Sequence, residues 1–224
     1  MLILSAADVR RAAPMPAAID AVADAFAQLS GGRADVPLRV PIGQAQHESH
    51  TFFMPALLAN SGALGLKVVS VFPHNQQRYA LPSIHALVVL IDAATGQPLA
   101  AMDGTYLTAL RTAASSGVAT RALARPDSRV LAMFGAGAQA PYQVQAVCAV
   151  RPIERVLIVN RSRARAEQLI ATLGELGIRA ECTIADGARA ALAEADVVCC
   201  ATSAATPLFD DADVRPGTHI NGVG

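Results

Sequence analysis

The 224-residue chain contains no tryptophan, and only 4% of it is aromatic. Its core must therefore be aliphatic, and stacking of single-stranded nucleic acid is disfavoured. Net charge is absent too, with 18 Lys+Arg against 18 Asp+Glu. That argues against a broad electrostatic footprint for nucleic acid or an anionic membrane. No apolar run reaches the roughly 18 residues of a membrane helix. The opening MLILSAADVRR lacks the basic region of a signal peptide. With 53% apolar and 16% charged residues, disorder is excluded and a cytoplasmic globular protein is expected. Cys148, Cys182, Cys199 and Cys200 form no C-x-x-C pair and read as small buried hydrophobes, so no metal site is expected. Lysine is almost missing: of the 18 basic side chains only Lys67 is not arginine. A lysine that persists in such a composition suggests a place that arginine does not fill.

What is present changes character along the chain. Residues 16–30 follow helical spacing and stop at Gly31-Gly32. Strand signals follow at 36–42, 50–55, 64–72, 83–92 and 98–102, with Thr95-Gly96 as a hairpin turn. Asp103 is a candidate cap for a helix over 104–124, whose Ala113–Gly117 stretch of small residues permits close backbone approach. From 129 onward strands and helices alternate: strands at 129–134, 155–160, 178–182, 196–201 and 218–221, helices at 138–149, 163–174 and 187–194. That alternation implies a parallel sheet covered on both faces. A boundary near 126 follows, with a substrate-binding and dimerisation domain over 1–126 and a dinucleotide-binding domain over 127–224.

The strand 129–134 runs into Gly135-Ala136-Gly137-Ala138-Gln139-Ala140 and then a helix, which is the G-x-G-x-x-A pattern in its required context. Gly135 makes the tight turn, Gly137 lets backbone approach a pyrophosphate, and Ala140 permits helix–strand packing. The next strand ends at Asn160, where an NAD enzyme places an acidic residue against the ribose 2′-hydroxyl. A neutral residue there, followed by Arg161, Ser162 and Arg163, favours NADP(H), with NAD(H) as the other option. The alternative is that Arg161 and Arg163 merely begin a solvated helix. Thr202 lies at the carboxyl edge of the fourth strand, where cofactors sit.

In the first half, Lys67 sits in the apolar run Leu64–Phe72, where burial calls for an anionic partner. The bland alternative is an edge strand with the amine reaching water. Arg39 interrupts another apolar run, and Arg111 lies among Leu107, Leu110 and Ala114. Three such cations facing inward would make a carboxylate site. The tract His47-Glu48-Ser49-His50 lacks metal-binding spacing, and His85 and His219 read as packed or surface histidines.

Together Leu66–Phe72, Leu81–Ser83, Met102–Gly104, Leu110–Ala114, Gly135–Ala140, Asn160-Arg161 and His219–Gly224 resemble the ornithine cyclodeaminase/mu-crystallin family over nearly the whole chain. The resemblance implies a Rossmann domain joined to an α+β substrate and dimerisation domain, and a homodimer built through the first domain. It implies substrate-carboxylate binding by Arg39, Lys67 and Arg111; Lys67 is in addition a candidate proton shuttle if burial lowers its pKa. It implies cofactor contacts from Ser83, Arg111, the 135–139 loop, Asn160, Arg161, Ser162, Thr202 and Val223. The expected ligand is a small cyclic imino acid or an amino acid. The expected reaction is NAD(P)H-dependent reduction of cyclic ketimines such as Δ1-pyrroline-2-carboxylate or Δ1-piperideine-2-carboxylate. Members also include ornithine cyclodeaminases, alanine dehydrogenases and non-catalytic ligand binders. Phe52 stands where the cyclodeaminases carry glutamate, and Asn160 where they tend to be acidic. The family's catalytic aspartate follows the Asn-Gly-Val-Gly segment, so the resemblance places the general acid beyond Gly224 and implies a missing C-terminal part.

Overall fold

A computed structural model describes residues 1–223. The chain falls into two units, one of Met1–Ala17 with Ala21–Thr108, the other of Ala18–Asp20 with Ala109–Gly224.

The first unit opens with β1 (Leu2–Leu4) and α1 (Ala6–Ala12). A capping box starts α1: the Asp8 backbone N–H donates to Ser5 Oγ and the Ser5 N–H to Asp8 Oδ2. Helix α2 (Met15–Ser30) follows, then β2 (Ala34–Asp35), β3 (Val40–Gln44), β4 (Ser49–Leu58), β5 (Ala63–Val71), a short α3 (Asn75–Tyr79), β6 (Ile84–Asp92) and β7 (Pro98–Asp103). The strands form one sheet in the order β1-β7-β6-β5-β4-β2, with β3 also paired to β4. All neighbours are antiparallel except β1 and β7. The Thr95-Gly96 turn is held by Asp92, whose Oδ1 accepts from the backbone N–H groups of Ala94 and Thr95, while Gly96 takes φ +73°. These hydrogen bonds, Thr95's N–H first, hold the Asp92 carboxyl below its usual range.

The expected strand 36–42 is displaced. Residues 36–39 carry no regular structure, and pairing resumes at Val40. The reason lies across the ladder. β4 meets β3 as far as Phe53 and β2 from Leu57 onward. Pro55 stands in the gap, where it has no N–H to offer a partner. The segment 36–39 is thereby released from the sheet.

Helix α4 (Gly104–Leu123) begins in the first unit and continues in the second. Asp103 caps it as expected, accepting from the Tyr106 N–H at 2.7 Å. Its small-residue stretch admits the side chain of Ile19, since a Cβ on Gly117 would come within 2.7 Å of Ile19 Cδ1.

The second unit continues with β8 (Val130–Phe134), α5 (Ala140–Val150), β9 (Arg155–Val159), α6 (Arg163–Glu175), β10 (Glu181–Ile184), α7 (Ala188–Leu192), β11 (Val197–Cys200) and β12 (His219–Gly222). All five strands are parallel, in the order β10-β9-β8-β11-β12. Alternate residues feed two cores. Leu131 and Met133 join Val144, Val147, Leu169 and Leu173 beneath α5 and α6. Ala132 and Phe134 join Leu192 and Val198 beneath α7. Coverage of both faces explains why these strands read as continuous apolar runs. Cys199 is fully buried in the first of these cores, and burial pushes its thiol up to about 12.

β12 is pinned by a buried amide. Asn221 Nδ2 donates to Thr120 Oγ1 at 2.9 Å, and Asn221 Oδ1 lies 3.1 Å from His219 Nε2. Burial lowers the His219 pKa from 6.5, with Arg151 adding to the shift and the Asn221 bond opposing it. The fold therefore favours neutral imidazole, and the unfolded chain takes up the proton first as pH falls. The stabilisation is complete above the unfolded value and is lost as pH drops through it toward the folded value. Urea midpoints should thus fall between about pH 7.5 and about pH 5.5. The fall should be smaller in His219→Gln; an equal fall in the variant would assign the acid sensitivity to other groups.

Candidate active site

The strand order reverses between β8 and β11, and the loops leaving these two strands border a cleft. Gly135 turns sharply out of β8 with φ +98°, its N–H donating to the Val159 carbonyl at 2.9 Å. A Cβ on Gly135 would stand 2.4 Å from the Ala201 carbonyl oxygen, so no other residue fits. Above Gly137 there is open space, with nothing within 4 Å of a would-be Cβ. No side chain caps α5; the Ala140 and Tyr142 N–H groups close tight turns onto the Gly137 and Gln139 carbonyls, and Pro141 has no N–H, so the helix start meets an anion through its dipole. The cleft has a volume of ≈ 760 Å³ and is lined by residues 134–137, Val159, Asn160, Arg161, Arg165 and residues 201–208. Its size, its glycine loop and the start of α5 beside it fit a dinucleotide.

Asn160 does more here than replace a carboxylate. Its Oδ1 accepts from the Ala136 N–H at 3.2 Å, and its Nδ2 donates to the Ser162 carbonyl at 2.8 Å. An aspartate would lose that donor and set an anion against the Ser162 carbonyl, so the amide suits both partners. Ser162 caps α6, its Oγ accepting from the Arg165 N–H. The three arginines then separate. Arg163 turns to Glu167 at 2.9 Å and does not line the cleft. Arg161, just before the N-cap of α6, does, together with Arg165 in the first turn of that helix, which the sequence reading overlooked. Thr202 also lines the cleft, and its Oγ1 accepts from the Ala204 N–H at 3.2 Å. Ala138 and Gln139 lead into α5, and the Val223 N–H donates to the Cys200 carbonyl at 2.9 Å. Gly224, the last residue of the segment His219–Gly224, lies outside the described residues.

In the first unit, Arg39 and Lys67 are placed on one sheet face. Phe52 pairs with Val69 and Met54 with Lys67, so these four side chains point the same way. The Arg39 guanidinium lies over the Phe52 ring, 5.0 Å from its centroid. The His50 ring is 5.9 Å from Phe52 on the same strand, tilted by 17°. Lys67 is half-buried rather than fully buried, although Val69 on the same face is buried. Arg111 does not face inward as expected: it is exposed on α4, although desolvation still lowers its pKa. Ser83 is half-buried, with its Oγ 3.5 Å from the Pro73 carbonyl. His47 and His85 line a second hollow with Ser70 and Tyr79, and Glu48 pairs with His74 rather than with its neighbours in the tract.

Strand order, glycine turn and cleft define a Rossmann-type dinucleotide-binding protein with an additional α+β unit. The chain belongs to the ornithine cyclodeaminase/mu-crystallin family, whose sequence model matches residues 1–224. A Δ1-pyrroline-2-carboxylate reductase from Bacillus cereus is 38% identical over the whole chain, which spans 68% of that protein. An alanine dehydrogenase from Archaeoglobus fulgidus is 34% identical over the whole chain, which spans 66% of it. The structure of Thermococcus litoralis Δ1-pyrroline-2-carboxylate reductase, in complex with NADH and L-proline, superposes with a TM-score of 0.92 at 41% identity. That match covers 99% of this chain and 68% of the other. Among the described residues no helix is long and apolar enough to cross a membrane.

Gly135→Ala tests the turn. The added methyl meets the Ala201 carbonyl at a φ that L-residues avoid, which costs about 1–3 kcal/mol in local strain. Thermal unfolding should register that loss, and fluorescence titration should show at least about tenfold weaker dinucleotide binding. Unchanged affinity would detach the loop from the cofactor.

Proposed function

We propose that the protein is an NAD(P)H-dependent reductase of cyclic ketimines, converting Δ1-pyrroline-2-carboxylate to proline or Δ1-piperideine-2-carboxylate to pipecolate. The observation that carries this reading is the whole-chain likeness, at 41% identity, to a reductase solved with NADH and L-proline. The neutral Phe52 supports it over ornithine cyclodeamination, since no carboxylate stands at that position to receive an amine.

Reduction adds hydride to C2 of the imine and a proton to its nitrogen. A bound nicotinamide supplies the hydride. In this reading Arg39, Lys67 and Arg111 supply the carboxylate-binding charge. Fixing the carboxylate removes orientational entropy from the barrier. Because the carboxylate is unchanged by the reaction, these cations act mainly on affinity. Lys67, half-buried among apolar neighbours, is also the proposed proton shuttle. Ser83, the loop 135–139, Ser162, Thr202 and Val223 belong to the proposed cofactor site. NADP(H) is the preferred cofactor on this reading, because the cleft carries Arg161 and Arg165 and an amide, with no acid at residue 160.

The first unit carries substrate binding and homodimer formation in the same reading. The sheet face opposite Lys67 presents Val40, Ile42 and Leu87, all exposed, in line with Phe53 and Val68. An open apolar face of this kind suits a second copy of the chain. Four free thiols suit a cytoplasmic location.

The activity is tested by following NADPH oxidation with Δ1-pyrroline-2-carboxylate beside ammonia release from ornithine with NAD. Turnover in the first assay alone is expected; ammonia release would make the protein a cyclodeaminase. Cofactor choice is tested by Arg161→Ala, which should weaken NADPH by about 1–3 kcal/mol and leave NADH nearly unchanged. Equal losses for both cofactors would show that Arg161 does not meet the 2′-phosphate.

A further inference from the structure

Arg39 stands on the segment that Pro55 releases from the sheet, so no ladder hydrogen bond fixes it. Among the described residues no carboxylate pairs with it. What lies beneath its guanidinium is the ring of Phe52, at 5.0 Å. Phe52 is itself held in β4, opposite Val69 on β5, with the His50 ring beside it. Lys67 is the diagonal cross-strand neighbour of Phe52 on the same face, roughly 7–8 Å away by strand geometry.

A carboxylate would hold Arg39 by neutralising it. An aromatic face attracts the cation without taking up its N–H donors or its charge. The guanidinium edge stays available for a planar anion, at a place defined by the ring. We propose that Phe52 is a positioning residue: its ring holds Arg39 where, with Lys67, it receives the carboxylate of the substrate. This rests on the reading of Arg39 and Lys67 as carboxylate ligands.

The test uses the full-length protein and four variants: Phe52→Leu, Phe52→Tyr, Arg39→Ala and the double variant Phe52→Leu/Arg39→Ala. The readouts are KM and kcat with Δ1-pyrroline-2-carboxylate, L-proline binding by calorimetry, NADPH affinity and thermal midpoint. Phe52→Leu keeps apolar bulk but removes the π face. It should raise KM and weaken L-proline binding about two- to fivefold, the range of a cation–π contact, with kcat and NADPH affinity little changed. Phe52→Tyr keeps the face and should restore both values. In the Arg39→Ala background, Phe52→Leu should add nothing further. A Phe52→Leu effect of equal size without Arg39, or a Tyr variant as poor as Leu, overturns the proposal. A strong Arg39→Ala effect with none from Phe52→Leu overturns it alone. An Arg39→Ala variant with normal KM and proline binding overturns the carboxylate reading beneath it and this proposal with it.

Discussion

The second unit is organised around one close approach, that of the Gly135 backbone to the Ala201 carbonyl. β8 and β11 are hydrogen-bonded neighbours, so their exits begin side by side. One exit leads to α5, which packs over Leu131 and Met133. The other leads to Leu208 and Phe209, which pack on the opposite face, with the Phe209 ring 5.1 Å from Phe134. The two exits must therefore part directly above the sheet, and a cleft opens where they do. A side chain on Gly135 would force the strands apart or the loop upward, and either movement would change that cleft. The Ala201 N–H to the Phe134 carbonyl and the Gly135 N–H to the Val159 carbonyl stitch all three strand ends to this one turn.

Much of this was legible because parallel strands buried on both faces leave unbroken apolar runs, and the glycine loop falls between one such run and a helix. The first unit was harder. β1 has three residues and α3 five, too few for a periodic signal, although the Ser5-x-x-Asp8 box announced α1 in plain view. The stretch 36–39 looked extended because its neighbours in sequence are apolar. What removes it from the sheet is Pro55, distant in sequence and opposite in the ladder. The lysine in β5 looked buried for the related reason that both neighbours in sequence are apolar, whereas exposure is decided by what covers the face.

The residues of the site divide along the same line. Gly135, Asn160, Arg161 and Thr202 were visible because local motifs fix their places. Arg165 reaches the cleft from the first turn of α6, whereas helical spacing sends Arg163 to Glu167 instead. The Phe52–Arg39 contact had no local signal: it depends on strand register together with the freedom of a segment that pairs with nothing.

Charge distribution ties these observations together. In the second unit most arginines are engaged by protein oxygens: Arg121 by Asp20, Arg125 by Asp196, Arg155 by Glu194, Arg163 by Glu167 and Arg189 by Asp213. Arg151 donates to the carbonyls of Arg121, Ala124 and Arg125. Such partners use up N–H donors and, where they are carboxylates, cancel charge. Arg161 and Arg165 have no such partner among the described residues, and both line the cleft. An amide at residue 160, already engaged by Ala136 and Ser162, adds no negative charge beside them. In a chain with no net charge, anion binding cannot come from an overall field. In the proposed reading it comes from leaving particular guanidinium groups unneutralised and holding them by backbone, as at the head of α6, or by an aromatic face, as over Phe52.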